Sequence, residues 1–239
     1  MTCLKQLFSV LILLFLIVSN SSCSNGDDDK LRNPYNLDLV TDYKEYNKML
    51  ESNPQHELVK INDVVESVFL DIKYASPDNF TKEVIYTSPD AFTRIKVAEA
   101  LKNVADSLAS YDLSLKIYDA YRPYAATLKF YEVYPDTNFV ANPRYGSRHN
   151  RGCAIDLTLV ERESGKEIPM PTPFDEFSEK AHPDYAELPD TVLKNRQFLF
   201  SIMEHFGFTH YPTEWWHFDF TGWNDYPLMD LSFEELLNY

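Results

Sequence analysis

Two short segments of this 239-residue chain put metal-binding side chains where apolar ones would fit the local pattern. The first is Ser147-Arg148-His149-Asn150-Arg151-Gly152-Cys153-Ala154-Ile155-Asp156; the second is Glu214-Trp215-Trp216-His217. Asp156 interrupts an aliphatic run of Ile155, Leu157 and Leu159, and His217 interrupts an aromatic run of Trp216, Phe218 and Phe220. A carboxylate buried in such company is costly unless it is paired or bound to a cation. Two histidines and one carboxylate form a three-point grip for a single Zn2+, with the fourth position left for water. The ligands on this reading are His149, Asp156 and His217, and the ion offsets the burial cost of Asp156. Taken singly, each residue has a plainer explanation. A lone histidine is more often a hydrogen-bonded structural residue, and a lone buried aspartate is more often a cap or an ion-pair partner. His182, His205, His210 and Asp219 are assigned to that plainer kind. Cys153 shares the face of Ile155 and reads as a small buried thiol.

The elements that must position these groups follow from periodicity. Alternation at period two puts Ile155, Leu157 and Leu159 on one face of a strand and Asp156 on the other. The same rule puts His217 and Asp219 opposite Trp216, Phe218 and Phe220. Leu113, Leu115 and Ile117 predict another strand, as do Val68, Leu70 and Ile72. Gly152 lets the chain turn between His149 and the Asp156 strand. Residues i and i+3 of a straight strand face opposite ways, so Glu214 can join His217 only if Thr213-Glu214 bends, as Pro212 would allow. Ser88-Pro89 predicts the start of a helix carrying Ile95, Ala98, Leu101, Ala105 and Leu108. A second helix is expected from about Pro123 to Tyr134, stopped by Pro135. A third is expected from near Asp190 through Val192, Leu199, Ile202, Met203 and Phe206, ending at Gly207. Helices and strands without regular βαβ alternation predict an α+β fold, a single domain over residues 38–239 with a central antiparallel sheet flanked by helices.

Composition sets the outer limits. A formal charge of -15 makes a nucleic-acid partner unfavourable. Three cysteines cannot form a disulfide framework. Lys5 followed by the apolar run Leu7 to Val18 reads as a signal segment over residues 1–22, too short to span a bilayer comfortably. Cys23 then matches the lipid-attachment cysteine of bacterial lipoproteins, and residues 23–37 read as an acidic tether. The alternatives are a plain secretory signal and an uncleaved anchor. The expectation is an exported protein, periplasmic or anchored to the outer membrane, touching the membrane only through a lipid on Cys23. The sequence leaves the oligomeric state open.

The joint pattern of the two segments resembles the zinc D-Ala-D-Ala metallopeptidases, whose motif is Ser-x-His-x-x-Gly-x-Ala-x-Asp followed later by Glu-x-x-His. Ser147, His149, Gly152, Ala154, Asp156, Glu214 and His217 fill every fixed position. The fuller strings are similar to the VanX-type D-alanyl-D-alanine dipeptidases. They are Asp71 to Ala75 with Asp78 to Thr81, Asp119 to Pro123, Met170 to Asp175, and Glu-Trp-Trp-His. The resemblance runs from about Val64 to Phe220 and implies the Hedgehog/D-Ala-D-Ala peptidase-like fold.

It also implies roles. His149, Asp156 and His217 match the ligands of one zinc ion per chain. Glu214 matches the catalytic base and Arg122 the arginine that steadies the oxyanion. Asp175 matches a carboxylate near the substrate amine, and Ser147 a hydroxyl that contacts substrate. Arg148 and Cys153 fall at variable positions. The implied reaction is zinc-dependent hydrolysis of D-Ala-D-Ala or a related dipeptide in the cell envelope. Two alternatives stay open: a D,D-carboxypeptidase or endopeptidase acting on peptidoglycan stem peptides, and a zinc-containing binding module without turnover.

Overall fold

The aliphatic alternation around Asp156 builds the centre of the molecule: Leu115, Ile117, Ile155, Leu157 and Leu159 are all fully buried. A computed structural model of the chain describes residues 32–238. The signal segment, Cys23 and the tether up to residue 31 lie outside the described residues. Nine strands are described: β1 (Leu39–Val40), β2 (Leu58–Lys60), β3 (Phe69–Leu70), β4 (Phe92–Arg94), β5 (Leu113–Asp119), β6 (Ala154–Glu161), β7 (Phe208–Tyr211), β8 (Glu214–Phe220) and β9 (Leu228–Met229). The described helices are α1 (Tyr43–Ser52), α2 (Ile61–Val64), α3 (Ile95–Leu108), α4 (Tyr124–Val133), α5 (Asp190–His205) and α6 (Phe233–Leu237). None of them is long and apolar enough to cross a membrane.

The main sheet has the order β3-β5-β6-β8-β7, and all its pairs are antiparallel except β3 with β5. The α+β class is therefore as expected, with one parallel pair at the edge. Two short ladders, β1 with β9 and β2 with β4, lie outside this sheet. α3 buries Val97, Ala98, Leu101, Val104, Ala105 and Leu108. α5 buries Val192, Leu199, Phe200, Ile202 and Met203. Both apolar stripes recur at the three- and four-residue spacing that faces one side of a helix to a core.

Two expectations are corrected. The first helix does not open at Ser88-Pro89, because residues 92–94 are drawn into a ladder with β2. Tyr121 N–H donates to Phe92 O (2.7 Å) and Arg94 N–H donates to Gly152 O (3.1 Å), so the helix can start only at Ile95. The Ser88 hydroxyl instead donates to the Asp90 carboxylate. The strand expected over Val68–Ile72 shrinks to Phe69–Leu70, because Lys73–Ala75 already coils into a 3-10 turn.

Candidate active site

Sheet register does most of the assembly. Asp119 on β5 pairs with Asp156 on β6, and Asp156 pairs with His217 on β8, so the three lie in one row across the sheet. His149 enters from the 3-10 turn His149–Arg151 that precedes β6. Gly152 closes this turn at φ +70°, and a Cβ there would come within 2.6 Å of Leu58 Cδ2. That backbone conformation and that clearance both require glycine.

The three expected ligands converge. His149 Nε2 and His217 Nδ1 lie 3.2 Å apart, and Asp156 Oδ1 is 3.5 Å from the first and 3.0 Å from the second. The outer nitrogen of each ring is fixed by an acceptor: His149 Nδ1 faces Ala120 O at 2.7 Å and His217 Nε2 faces Asp219 Oδ1 at 2.9 Å. With the proton of each neutral ring on its outer nitrogen, both inner nitrogens would present lone pairs. Asp156 Oδ1 is buried and accepts no hydrogen bond. Three Lewis bases aimed at one point, one of them a buried carboxylate oxygen, are the donor set a cation would satisfy. Their spacing is close to the edge of about 3.3 Å that a tetrahedron with 2.0–2.1 Å metal–ligand bonds would have. The donor set thus fits a single metal ion, and the ring-fixing acceptors are the usual outer support of such a site.

Charge in the cavity is arranged around that point. Burial would raise the Asp156 carboxyl, but His149 and His217 together hold it well below its ordinary value. Burial would lower His217, but Asp219 and Asp156 hold it well above. Glu214 is pushed up to about 8, chiefly by burial and then by the negative charge of Asp156. Its Oε2 lies 3.8 Å from His217 Nδ1. Pro212-Thr213 form the hairpin turn that leads into Glu214, and an irregular register adds to it. Tyr211 already pairs with Glu214 while its neighbour His210 pairs with Phe218, so β8 bulges between the two residues. This offset breaks the strict alternation that would otherwise separate Glu214 from His217.

Arg122 follows β5 directly and is buried. Its Nε and Nη2 both donate to Asp119 Oδ2, at 2.9 and 2.7 Å, and its guanidinium lies over Phe130 (4.7 Å) and Tyr74 (5.5 Å). Asp119 also accepts from Tyr86 Oη and from Ala120 N–H, both at 2.9 Å. Its carboxylate therefore has four donors, and its geometry fixes that of Arg122. Asp175 sits in the left-handed backbone region (φ +57°) and accepts a hydrogen bond from Tyr74 Oη at 3.0 Å. Burial, and then the charge of Asp156, hold its carboxyl well above the usual range. Ser147 Oγ accepts from Asn150 N–H at 3.1 Å, which leaves its own hydrogen free to donate.

All seven residues expected from the sequence line one cavity of about 260 Å3. One side of it is formed by the strap from Thr137 to Gly146, where Asn138 O accepts from Thr213 Oγ1 (3.0 Å) and Pro143 O from Tyr124 Oη (2.8 Å). Two further residues were given no site role by sequence reasoning, Asp219 being read as structural and Arg148 as a variable position. Asp219 orients His217, and its place on the same strand face as His217 was the available signal. Arg148 also lines the cavity, although its position between two motif residues carried no signal. His210 keeps its structural assignment: it stacks on Phe200 (4.4 Å, 8°) and pairs with Glu204 at 2.9 Å. Cys153 is a buried free thiol, pushed up to about 12 chiefly by burial.

Residues 54–234 match the profile of the M15 peptidase family described as D-Ala-D-Ala dipeptidase. The chain is 35% identical over 173 residues to the D-alanyl-D-alanine dipeptidase of Escherichia coli K12, covering 72% of this chain and 89% of the relative. It is 32% identical over 178 residues to the D-alanyl-D-alanine dipeptidase of Enterococcus faecium, covering 66% and 88%. Among solved structures, VanYB in complex with D-alanine-D-alanine aligns at 16% identity with a TM-score of 0.38, over 64% of this chain and 87% of that one.

Proposed function

Given that the chain belongs to the M15 D-Ala-D-Ala dipeptidase family of metallopeptidases, we propose that it hydrolyses D-Ala-D-Ala or a closely related dipeptide at a zinc ion held by His149, Asp156 and His217. The observation that carries this reading is the convergence of His149 Nε2, His217 Nδ1 and Asp156 Oδ1 within 3.0–3.5 Å of one another in a buried cluster. Zinc bound there supplies Lewis acidity and makes water acidic enough to attack near neutral pH.

The protein's own groups do the rest. Glu214, buried with its Oε2 3.8 Å from His217 Nδ1, takes the proton of the attacking water and passes it to the leaving amine. Arg122, held rigid by Asp119, faces the oxygen that gains negative charge. Asp175 pairs with the substrate ammonium, which provides the countercharge its buried carboxyl lacks. Ser147 donates its free hydroxyl hydrogen to the substrate. A cavity of about 260 Å3 is smaller than the roughly 300–1,000 Å3 of sites for drug-sized ligands, which favours a dipeptide over a stem peptide. With a signal over residues 1–22 and a lipid on Cys23, the substrate pool would be dipeptides released in the envelope.

The test uses zinc-loaded protein with D-Ala-D-Ala, L-Ala-L-Ala and a muramyl pentapeptide. Glu214→Gln should lose about 10^2–10^4-fold in kcat and keep its zinc. Near-full activity of that variant would remove the base assignment, and release of D-Ala from the pentapeptide in preference to dipeptide cleavage would move the enzyme to the carboxypeptidases.

A further inference from the structure

Two guanidinium groups line the cavity, and their commitments differ. Arg122 is bound through Nε and Nη2 to Asp119. Arg148 has no such hydrogen bond: its Nε is buried without a hydrogen-bond partner and makes only an ion pair with Asp219 Oδ2 at 3.5 Å. Its guanidinium carbon lies 4.7 Å from the ring centroid of Trp223 and 5.9 Å from that of Tyr211. Stacking of this kind orients the planar fork without engaging its N–H groups. The side chain is 38% exposed, so the fork remains open to a ligand in the cavity it lines.

A free dipeptide is a zwitterion, and its two ends need opposite partners. Asp175 and Glu214 make one part of the wall acidic. Apart from the two ligand histidines, the only cations among the described cavity-lining residues are Arg122 and Arg148. Arg122 commits two of its three nitrogens to Asp119, and Ser147 offers a single neutral donor. We infer that Arg148 binds the free α-carboxylate of the substrate. It is then the residue that restricts cleavage to the bond one residue from the C-terminus. This inference rests on the dipeptidase reading and names the group that enforces it. Asp219 pairs with this guanidinium through Oδ2 at 3.5 Å and faces His217 Nε2 through Oδ1, so one carboxylate adjoins both the carboxylate anchor and His217.

The test compares D-Ala-D-Ala with its C-terminal amide on the zinc-loaded full chain, for wild type, Arg148→Met and Arg148→Lys. Wild type should prefer the acid. R148M should raise KM for the acid by about tenfold to a hundredfold, the range of a charge-assisted hydrogen bond, and collapse the acid-over-amide preference in kcat/KM. R148K, which keeps charge and stem, should recover part of that preference. Zinc content should stay at one per chain in both variants. Equal losses on acid and amide, or loss of zinc, would overturn the inference and assign Arg148 to support of His217 through Asp219. Should wild type cleave neither compound, the peptidase reading is at fault. Calorimetric binding of the same pair then decides separately: acid preference lost in R148M upholds the anchor, and no acid preference in wild type overturns it.

Discussion

Two buried arginines brace the turn that carries His149, and they are buried for different ends. Arg94 is fully buried and bonded to main-chain oxygens: Nε to Arg151 O at 2.6 Å, Nη2 to Pro227 O at 3.3 Å, and Nη1 to His56 O. Burial lowers its pKa, and Tyr226 lies under the guanidinium at 5.2 Å. Arg122 also holds the turn, through Arg122 N–H to His149 O (3.1 Å) and Arg122 O from Asn150 Nδ2 (2.8 Å). Its guanidinium, however, is matched to a carboxylate and fronts the cavity. The same side chain thus serves as a clamp on loops in one place and as a held positive charge in the other. The difference lies in whether its partner is a set of neutral carbonyls or a buried acid.

This contrast can be broken by substitution. Arg122→Lys keeps a charge beside Asp119 but loses the fork, and should reduce kcat by about 10^2–10^3-fold, the cost of one oxyanion donor, with zinc content and melting temperature near wild type. A comparable loss of fold in R122K would make Arg122 another clamp. Arg94→Met should act the other way. It leaves carbonyls of residues 56, 151 and 227 without donors, at about 3 kcal/mol net, and should lower the melting temperature by about 10 °C while the folded fraction keeps its kcat. A wild-type melting curve would show that the clamp is dispensable.

The smallest effect sharpens the comparison through pH. In the metal-free chain, burial moves Glu214 from 4.5 to about 8. The folded state then holds this proton more tightly than the unfolded state, so its contribution to stability is full below 4.5 and is lost as pH rises through about 8. Metal-free wild type should melt at progressively lower temperature across that window, and E214Q should flatten the slope. Asp175, shifted the same way, leaves a residue of it. An equally steep slope in E214Q would place the titration elsewhere.

The metal cluster was legible because Asp156 and His217 each break an apolar alternation, and such breaks are costly without a purpose. The strand pattern of β5, β6 and β8 followed from the same alternation. What was not legible depended on partners distant in sequence. Residues 92–94 look like the approach to a helix until Gly152 and β2 take their hydrogen bonds. The bulge that turns Glu214 toward His217 arises from pairing with β7, which no local rule displays. Arg148 and Asp219 are ordinary surface-type residues in sequence, and only the stacking on Trp223 and the bond to His217 give them a place at the site. The signal segment and Cys23 rest on sequence alone.

The strap from Thr137 to Gly146 contributes cavity wall but none of the residues proposed to bind metal or move protons. Those stand on β6, β8 and the turn before β6, locked by sheet register. Substitutions in the strap should therefore reshape what the enzyme admits while leaving its chemistry intact, so that its diet could be rewritten in a single loop.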